Sequence, residues 1–435
     1  MSKVMRSAAR WGEQLLAVAL AAPGPGASGD DAVSRRRCLY RAEGFSSFRK
    51  TWWDSIANES YFDVIRQLWL MEQADALALE KRAATEERRA LVIQLGHFGD
   101  LLHTMPLVKR LGADYATDIL VGPWCESVAR HYGFAASVIP YAPRVKIYNR
   151  GDTSRCLGLS AEVEFLRSLR SRGYELVIDA GLVANIPDAV LMRAAGCGTI
   201  IGPRPDDELY PPRVKWLVPQ YDPARYEAER IAALADLVGV RGGQPVLTFP
   251  VTDAARAEVR AIAGLAPGFA VLIPGAGWDG KRWPHARFAE LGQWMERELK
   301  LQVVLAGSKD EAELCSHVSS GISSNSVLNL AGKTTWAQLA ALLEGARICV
   351  TNDCGPMHLA AAVGTPTVSM FGPTEVSRWA PRGPMHRVIR KVKSCPDCRP
   401  WHVEEKCRHD GACMKAIGVE DVKAAIMESL GAERS

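Results

Sequence analysis

A chain of 435 residues is too long for one ordinary domain and suits two domains with appendages. Its composition, 48% hydrophobic and 23% charged, is that of a soluble globular protein. No apolar run reaches the ~20 residues that a membrane helix needs. A net charge of +4 is small for this length and does not by itself argue for nucleic acid, which is not an expected partner.

Residues 1–88 read as a helical extension with a flexible linker. Leu15 to Ala22 is a short apolar run behind Lys3, Arg6 and Arg10, in the manner of a signal peptide, but Glu13 interrupts the approach and the run is short. An amphipathic helix accounts better for Val4, Met5, Ala8, Trp11, Leu15 and Val18. Pro23 to Asp31 has linker composition. Trp52 to Ala90 reads as one long helix or two, and Phe45, Phe48, Trp52, Trp53, Tyr61, Phe62 and Trp69 form an aromatic cluster. Packing against the next domain is the plain reading of that cluster; a membrane-surface or oligomer contact is the alternative.

From 89 to 250 the pattern alternates strand and helix. ALVIQL is a strand, GHFGD a glycine-bearing turn and LLHTMPLVKRLG a helix, with Asp100 at its start. ATDILVG and ELVIDAG are further strands, Trp124 to Tyr132 and Ile186 to Ala195 are helical, and GTIIG is a strand. Tyr226 to Val240 closes the series as a helix. Such alternation marks an open, doubly wound parallel sheet. The turn is not G-x-G-x-x-G and no acidic residue stands at a ribose position, so a dinucleotide site is not expected here.

RGGQPVLTFPVTD reads as an interdomain linker. A second doubly wound domain follows, over 251–394. FAVLIP is a strand, GAGWDGKRWP a glycine-rich loop, HARFAELGQWMEREL a helix and LQVVLAG a strand. A helix in SKDEAEL, a strand in VLNLAG and a helix from Trp336 to Glu344 come next. Ala346 to Pro373 then gives strand, turn, helix and strand. Pro356 is expected at the first helical position and Gly364 just past the last. A turn at the carboxyl end of a strand presents free N–H groups and the positive end of a helix dipole, which suits a diphosphate. Asp353 and His358 flank it. Their plain readings are a helix cap and a satisfied core histidine.

GHFGDLLHTMP, PGAGWDGKRWP and NDCGPMHLAAAVGTPTVSMFGPTEVSRW, in this order, resemble glycosyltransferase family nine, the ADP-heptose:lipopolysaccharide heptosyltransferases. The resemblance covers Arg89 to Val422. It implies a GT-B fold, two Rossmann-like domains facing a cleft, with the acceptor on the first domain and the nucleotide sugar on the second. Asp100 matches the family's catalytic aspartate, and its plain alternative is a helix N-cap. Lys281 matches a phosphate-binding lysine that stands in for a metal ion, so no catalytic metal is expected; a solvated loop lysine is the alternative. Gly275 and Gly277 let the backbone approach the donor. Asp353, Cys354, Gly355, Pro356 and His358 fall on the donor-binding motif, with Cys354 where the family commonly has Thr or Ser. Asp310 or Glu311 is a candidate ribose ligand.

Of the eleven cysteines, Cys38, Cys125, Cys156, Cys197, Cys315, Cys349 and Cys354 are scattered, as in a reducing compartment. Cys395, Cys398, Cys407 and Cys413 cluster in a tail, 395–435, that ends in a helix. Four thiolates suit a structural zinc or iron, and one branch of the family is associated with an iron-bearing cysteine finger; ordinary structural thiols are the alternative. Arg378, Arg382, Arg387, Arg390, Lys391 and Lys393 form a basic run for phosphate or anionic lipid, or else a solvated face.

The expected function is that of a cytoplasmic, inverting glycosyltransferase, peripheral at the inner membrane. It would move a heptose from ADP-heptose to a lipopolysaccharide-core or related glycan or protein acceptor. The rivals are another GT-B nucleotide-sugar enzyme, such as an epimerase, and a non-catalytic assembly module.

Overall fold

The computed structural model describes residues 87–142, 157–181, 186–195, 198–202, 215–217, 219, 222, 224–324, 326–392, 407 and 409–432. The expected extension, but for Glu87 and Arg88, lies outside the described residues, as do Lys393, Cys38, Cys156, Cys197, Cys395 and Cys398.

The first apolar runs form β1 (Arg89–Gln94), β2 (Ala116–Val121), β3 (Ser137–Pro140), β4 (Leu176–Asp179), β5 (Thr199–Ile201) and β6 (Lys215–Leu217). They make one parallel sheet in the order β3-β2-β1-β4-β5-β6, with Ala90 level with Thr117 on one side and Leu176 on the other. β1 and β4 are buried almost throughout, as the unbroken runs ALVIQ and LVID require. A second parallel sheet comprises β7 (Phe269–Ile273), β8 (Gln302–Leu305), β9 (Leu328–Asn329), β10 (Ile348–Asn352), β11 (Thr367–Met370) and β12 (His386–Ile389). Its order, β12-β11-β10-β7-β8-β9, repeats the winding of the first. In each sheet the winding reverses beside the first strand, between β1 and β4 and between β7 and β10. Ligands of such sheets bind outside the carboxyl ends of the strands at that reversal.

The described helices are α1 (Phe98–Leu111), α2 (Glu126–Tyr132), α3 (Leu159–Ser171), α4 (Ile186–Ala195), α5 (Glu227–Ala232), α6 (Asp253–Arg260), α7 (His285–Glu298), α8 (Ala312–Gly321), α9 (Trp336–Glu344), α10 (Gly355–Ala362), α11 (Val376–Trp379), α12 (Ala412–Lys415) and α13 (Val419–Ala432). α3 and α4 pack on each other in one compact unit; the two sheets belong to another. Among the described residues no helix is long and apolar enough to cross a membrane.

Several elements differ from the sequence expectation. The helix over Tyr226 to Val240 is α-helical only to Ala232, then tightens to a 3-10 helix that ends before the left-handed Gly239. The linker 241–252 has no regular structure, yet it is anchored. The Tyr132 hydroxyl donates to the Thr248 carbonyl at 2.7 Å, and the Phe249 N–H donates to Ala362 O at 3.3 Å. α6, which the sequence reading passed over, starts where the Thr252 hydroxyl accepts the Ala255 N–H. VLNLAG shrinks to the two-residue edge strand β9. α13 packs against β12 and α7, with Val422 and Ile426 fully buried, and so completes the core of the second sheet.

Candidate active site

The turn after β1 is braced before it carries any chemistry. The Gly96 N–H donates to Gln94 Oε1 at 2.9 Å, Gln94 Nε2 donates to the Thr104 hydroxyl at 2.9 Å, and the Trp124 indole donates to Gly96 O at 2.8 Å. His97, not Asp100, is the N-cap of α1. Asp100 is the third helical residue and closes a capping box by accepting the His97 N–H at 2.7 Å. Burial acts to raise its carboxyl, but the hydrogen bonds and charge of His97, with a smaller contribution from His358, leave it below the usual range. With 26% of its side chain exposed, Asp100 is an ionised, accessible carboxylate.

The loops of the second sheet are tied together by Asn352, the last residue of β10, which is fully buried. Its Nδ2 donates to Pro274 O at 2.8 Å and Gly275 O at 3.2 Å, and its Oδ1 accepts the Trp283 N–H at 2.9 Å. Glu311 lies against Gly275 so closely that a Cβ there would meet its Oε1 at 2.0 Å. Lys281 is not a solvated loop lysine: its Nζ stands 2.8 Å from Asp353 Oδ2. The Thr374 hydroxyl donates to the same oxygen. Burial works to raise the Asp353 carboxyl; Lys281, Thr374 and His358 outweigh it and lower the pKa.

The two groups of loops meet where α1 and α10 begin. Gly99 and Gly355 permit it: a Cβ on Gly99 would sit 3.0 Å from His358 Cδ2, and one on Gly355 would sit 3.1 Å from Phe98 Cδ1. Phe98 stacks on Trp336 with centroids 3.6 Å apart, a contact worth ~0.5–1.5 kcal/mol beyond burial. His358 Nδ1 faces His103 Nε2 at 3.2 Å. Burial first, and Lys281 after it, push His358 down to about 4 against the opposing pull of Asp353, Asp100 and Glu227. A histidine held neutral in the fold but free to protonate when unfolded favours unfolding in acid. Its contribution is therefore intact above the ordinary histidine pKa and is lost as the pH falls from ~6.5 to ~4. We expect wild-type protein to lose on the order of 3 kcal/mol over that window through this group, and a His358→Gln variant to show a correspondingly flatter pH profile in urea unfolding. Parallel profiles would refute it.

The model of glycosyltransferase family 9 (heptosyltransferase) matches residues 163–409. The chain belongs to glycosyltransferase family 9. It is similar to lipopolysaccharide heptosyltransferase 1 of Pseudomonas aeruginosa, 29% identical over 66% of this chain and 79% of the relative. Lipopolysaccharide heptosyltransferase 2 of Salmonella typhimurium is 28% identical over 70% and 88%. The solved structure of the Escherichia coli ADP-heptose lipopolysaccharide heptosyltransferase II covers 80% of this chain and 100% of its own, with a TM-score of 0.62 at 22% identity. This glycosyltransferase thus has the GT-B fold.

Asp100, Lys281, Asp353, Gly355, Pro356 and His358 all come to the paired loops of the glycosyltransferase. Pro356 is the second, not the first, residue of α10. Gly277 is exposed in its loop, Asp310 points to solvent, and Glu311 is the residue of that pair that reaches Gly275. Cys354 is the N-cap of α10, its Sγ 3.2 Å from the Thr351 hydroxyl, and burial pushes its thiol up to about 12. Asn352, Thr374, His103 and Trp336 have no role assigned from the sequence. Nor has Glu227, which accepts from Arg378 at 2.7 Å and from Arg230 at 3.0 Å. Only Asn352 had a local signal, a polar residue ending an apolar strand.

The basic run is largely engaged with acids: Arg387 with Glu428, Arg390 with Glu375 and Lys391 with Asp421. In the tail, Cys407 Sγ accepts the Gly411 N–H at 3.3 Å, and Cys413 lies beside Gly372. Among the described residues no three His, Cys, Asp or Glu are placed to hold a metal. The described part of the tail is anchored by hydrogen bonds: the Trp283 indole donates to Ile417 O at 2.9 Å and Arg287 donates to Lys415 O at 2.6 Å.

Proposed function

We propose that this glycosyltransferase transfers heptose from ADP-heptose to a sugar of the lipopolysaccharide core, with inversion at the anomeric carbon. The observation that carries the reading is the contact of Gly99 with His358, which brings the turn bearing Asp100 against the turn bearing Asp353 and Gly355. The relatives named for this activity on lipopolysaccharide, and the ADP-heptose transferase of the same fold, supply the substrate class. The acceptor half is assigned to 89–250 and the donor half to 251–394.

Asp100 takes the proton of the acceptor hydroxyl as that oxygen attacks the anomeric carbon. ADP leaves with its diphosphate at the amino end of α10, where the Gly355 turn and the helix dipole favour negative charge. Lys281, set beside Asp353, contributes the positive charge that a divalent ion supplies elsewhere. Glu311 is the candidate ribose ligand, and Gly275 and Gly277 give the donor room. Cys395, Cys398, Cys407 and Cys413 are assigned to one structural zinc or iron, needed because the intervening polar segment offers little apolar surface to bury. The enzyme is assigned to the cytoplasm, peripheral at the inner membrane where a lipid-linked acceptor is presented.

The test is turnover of ADP-heptose, with UDP- and GDP-sugars as controls, before and after EDTA, on protein purified with reductant and assayed for bound metal. ADP-heptose should be consumed equally in both samples, with stoichiometric zinc or iron in the untreated one. Activity that falls in EDTA and returns with magnesium would overturn the role of Lys281. Preference for another nucleotide sugar would overturn the donor, and absence of metal would return the four thiols to ordinary cysteines.

A further inference from the structure

The proposed chemistry leaves unused a buried imidazole at the junction of α1 and α10. His103 lies within α1 and is fully buried. Its ring meets that of His358 at 78°, with centroids 4.5 Å apart, and Tyr226 and Trp379 close around it edge-on at 5.4 and 5.7 Å. A hydrogen bond between two neutral imidazoles has one proton between them and so fixes both tautomers together. Burial is the first cause that drives both rings toward neutrality, and the charges around them set the balance. At His358, Asp353, Asp100 and Glu227 oppose this and Lys281 assists; at His103, His358 and then Arg230 and Arg378 assist.

The choice between the two tautomers follows from the other nitrogen of His103. Nδ1 is buried and has no hydrogen-bond partner among the described residues. If His103 carried its proton there, an N–H would be shut away without an acceptor. With the proton on Nε2, only a lone pair is left over. Orphaned buried N–H groups are rarer in folded proteins than under-satisfied acceptors.

We infer that His103 is a positioning residue: its Nε2–H donates to Nδ1 of His358 and thereby makes His358 a neutral Nε2–H donor at the junction of α1 and α10. The inference deepens, and rests on, the reading of that junction as the sugar-transfer site. The ring edge that carries Cδ2 and Nε2 lies against Gly99, 3.0 and 3.6 Å from the position of a Cβ there and one residue before Asp100. There the N–H meets an oxygen of the transferring sugar or of its diphosphate. The other tautomer would turn a lone pair toward a diphosphate oxygen and repel it. A neutral donor also leaves Asp100 as the group that accepts the acceptor's proton.

The test is nitrogen-15 NMR of the histidines in the full chain at about pH 7.5, beside turnover by two variants. In wild type, His358 should be protonated on Nε2 and bare on Nδ1. His103→Gln keeps an N–H near the position of Nε2 and should hold that tautomer, with kcat within about threefold of wild type. His103→Leu removes the donor and should show mixed His358 tautomers and a kcat lower by roughly 5–10-fold. His358 protonated on Nδ1 in wild type overturns the inference, as does a His103→Leu enzyme with wild-type kcat or one no slower than His103→Gln. The spectrum needs no substrate. Failure to turn over any heptose donor would therefore sink the functional reading and leave the tautomer to decide this one.

Discussion

Asp100→Ala is expected to lower heptose turnover by ~10²–10⁴ while the donor still binds within about twofold of wild type, the effect of removing a general base. The physical basis is position. Asp100 projects from the first turn of α1, ionised and a quarter exposed, on the loops of the first sheet, whereas the proposed donor contacts all come from the second. The side chain also has a structural task, since it accepts the His97 N–H at 2.7 Å. Asp100→Asn separates the two roles. Its amide oxygen keeps that hydrogen bond, so stability should match wild type, but it cannot take a proton and should be as inactive as Ala. Alanine should in addition cost ~1 kcal/mol for the lost capping bond. Single-turnover kinetics with isothermal titration of ADP would check both. An Asp100→Asn enzyme with near-wild-type turnover would sink the assignment.

The second large effect is expected at a residue with no direct chemistry. Asn352→Ala removes three hydrogen bonds at a fully buried site and leaves the Trp283 N–H and the Pro274 and Gly275 carbonyls searching for partners. With ~1–3 kcal/mol for each buried group left unsatisfied, partly relieved by relaxation, the loss should be ~2–5 kcal/mol in urea unfolding. Donor affinity should fall as well, because the glycine-rich loop that begins at Gly275 loses its tether to β10. Asn352→Asp keeps an acceptor for Trp283 but sets a carboxylate against two carbonyl oxygens, and should be no better. A loss under ~1 kcal/mol with unchanged ADP affinity would show that the loop is held by other contacts.

The order of the strands' apolar runs, the turns GHFGD, GAGWDG and NDCGP after three of them, and the helices behind were legible in the sequence, because each is decided within some ten residues. Period, glycine and proline placement and capping chemistry act locally. The candidate carboxylates and Lys281 could be named for the same reason: they stand in those turns, and turns at the carboxyl ends of parallel strands face the ligand crevice. What those residues touch was not legible. Lys281 pairs with Asp353 across 72 positions, His103 with His358 across 255, and Glu227 with Arg378 across 151. The short strands β3, β6 and β12 also escaped, since three or four residues with polar members carry too little pattern to outweigh a loop. The protonation of His358 is the clearest case. Its sequence neighbours include Asp353, a group that favours the charged imidazole, yet the largest influence on it is burial, in a place where Gly99 and His103 from the first half of the chain pack against it. Desolvation and ion pairing depend on distance in space, so only the tertiary structure decided which of the motif's side chains are charged, which are neutral and which hold one another in place.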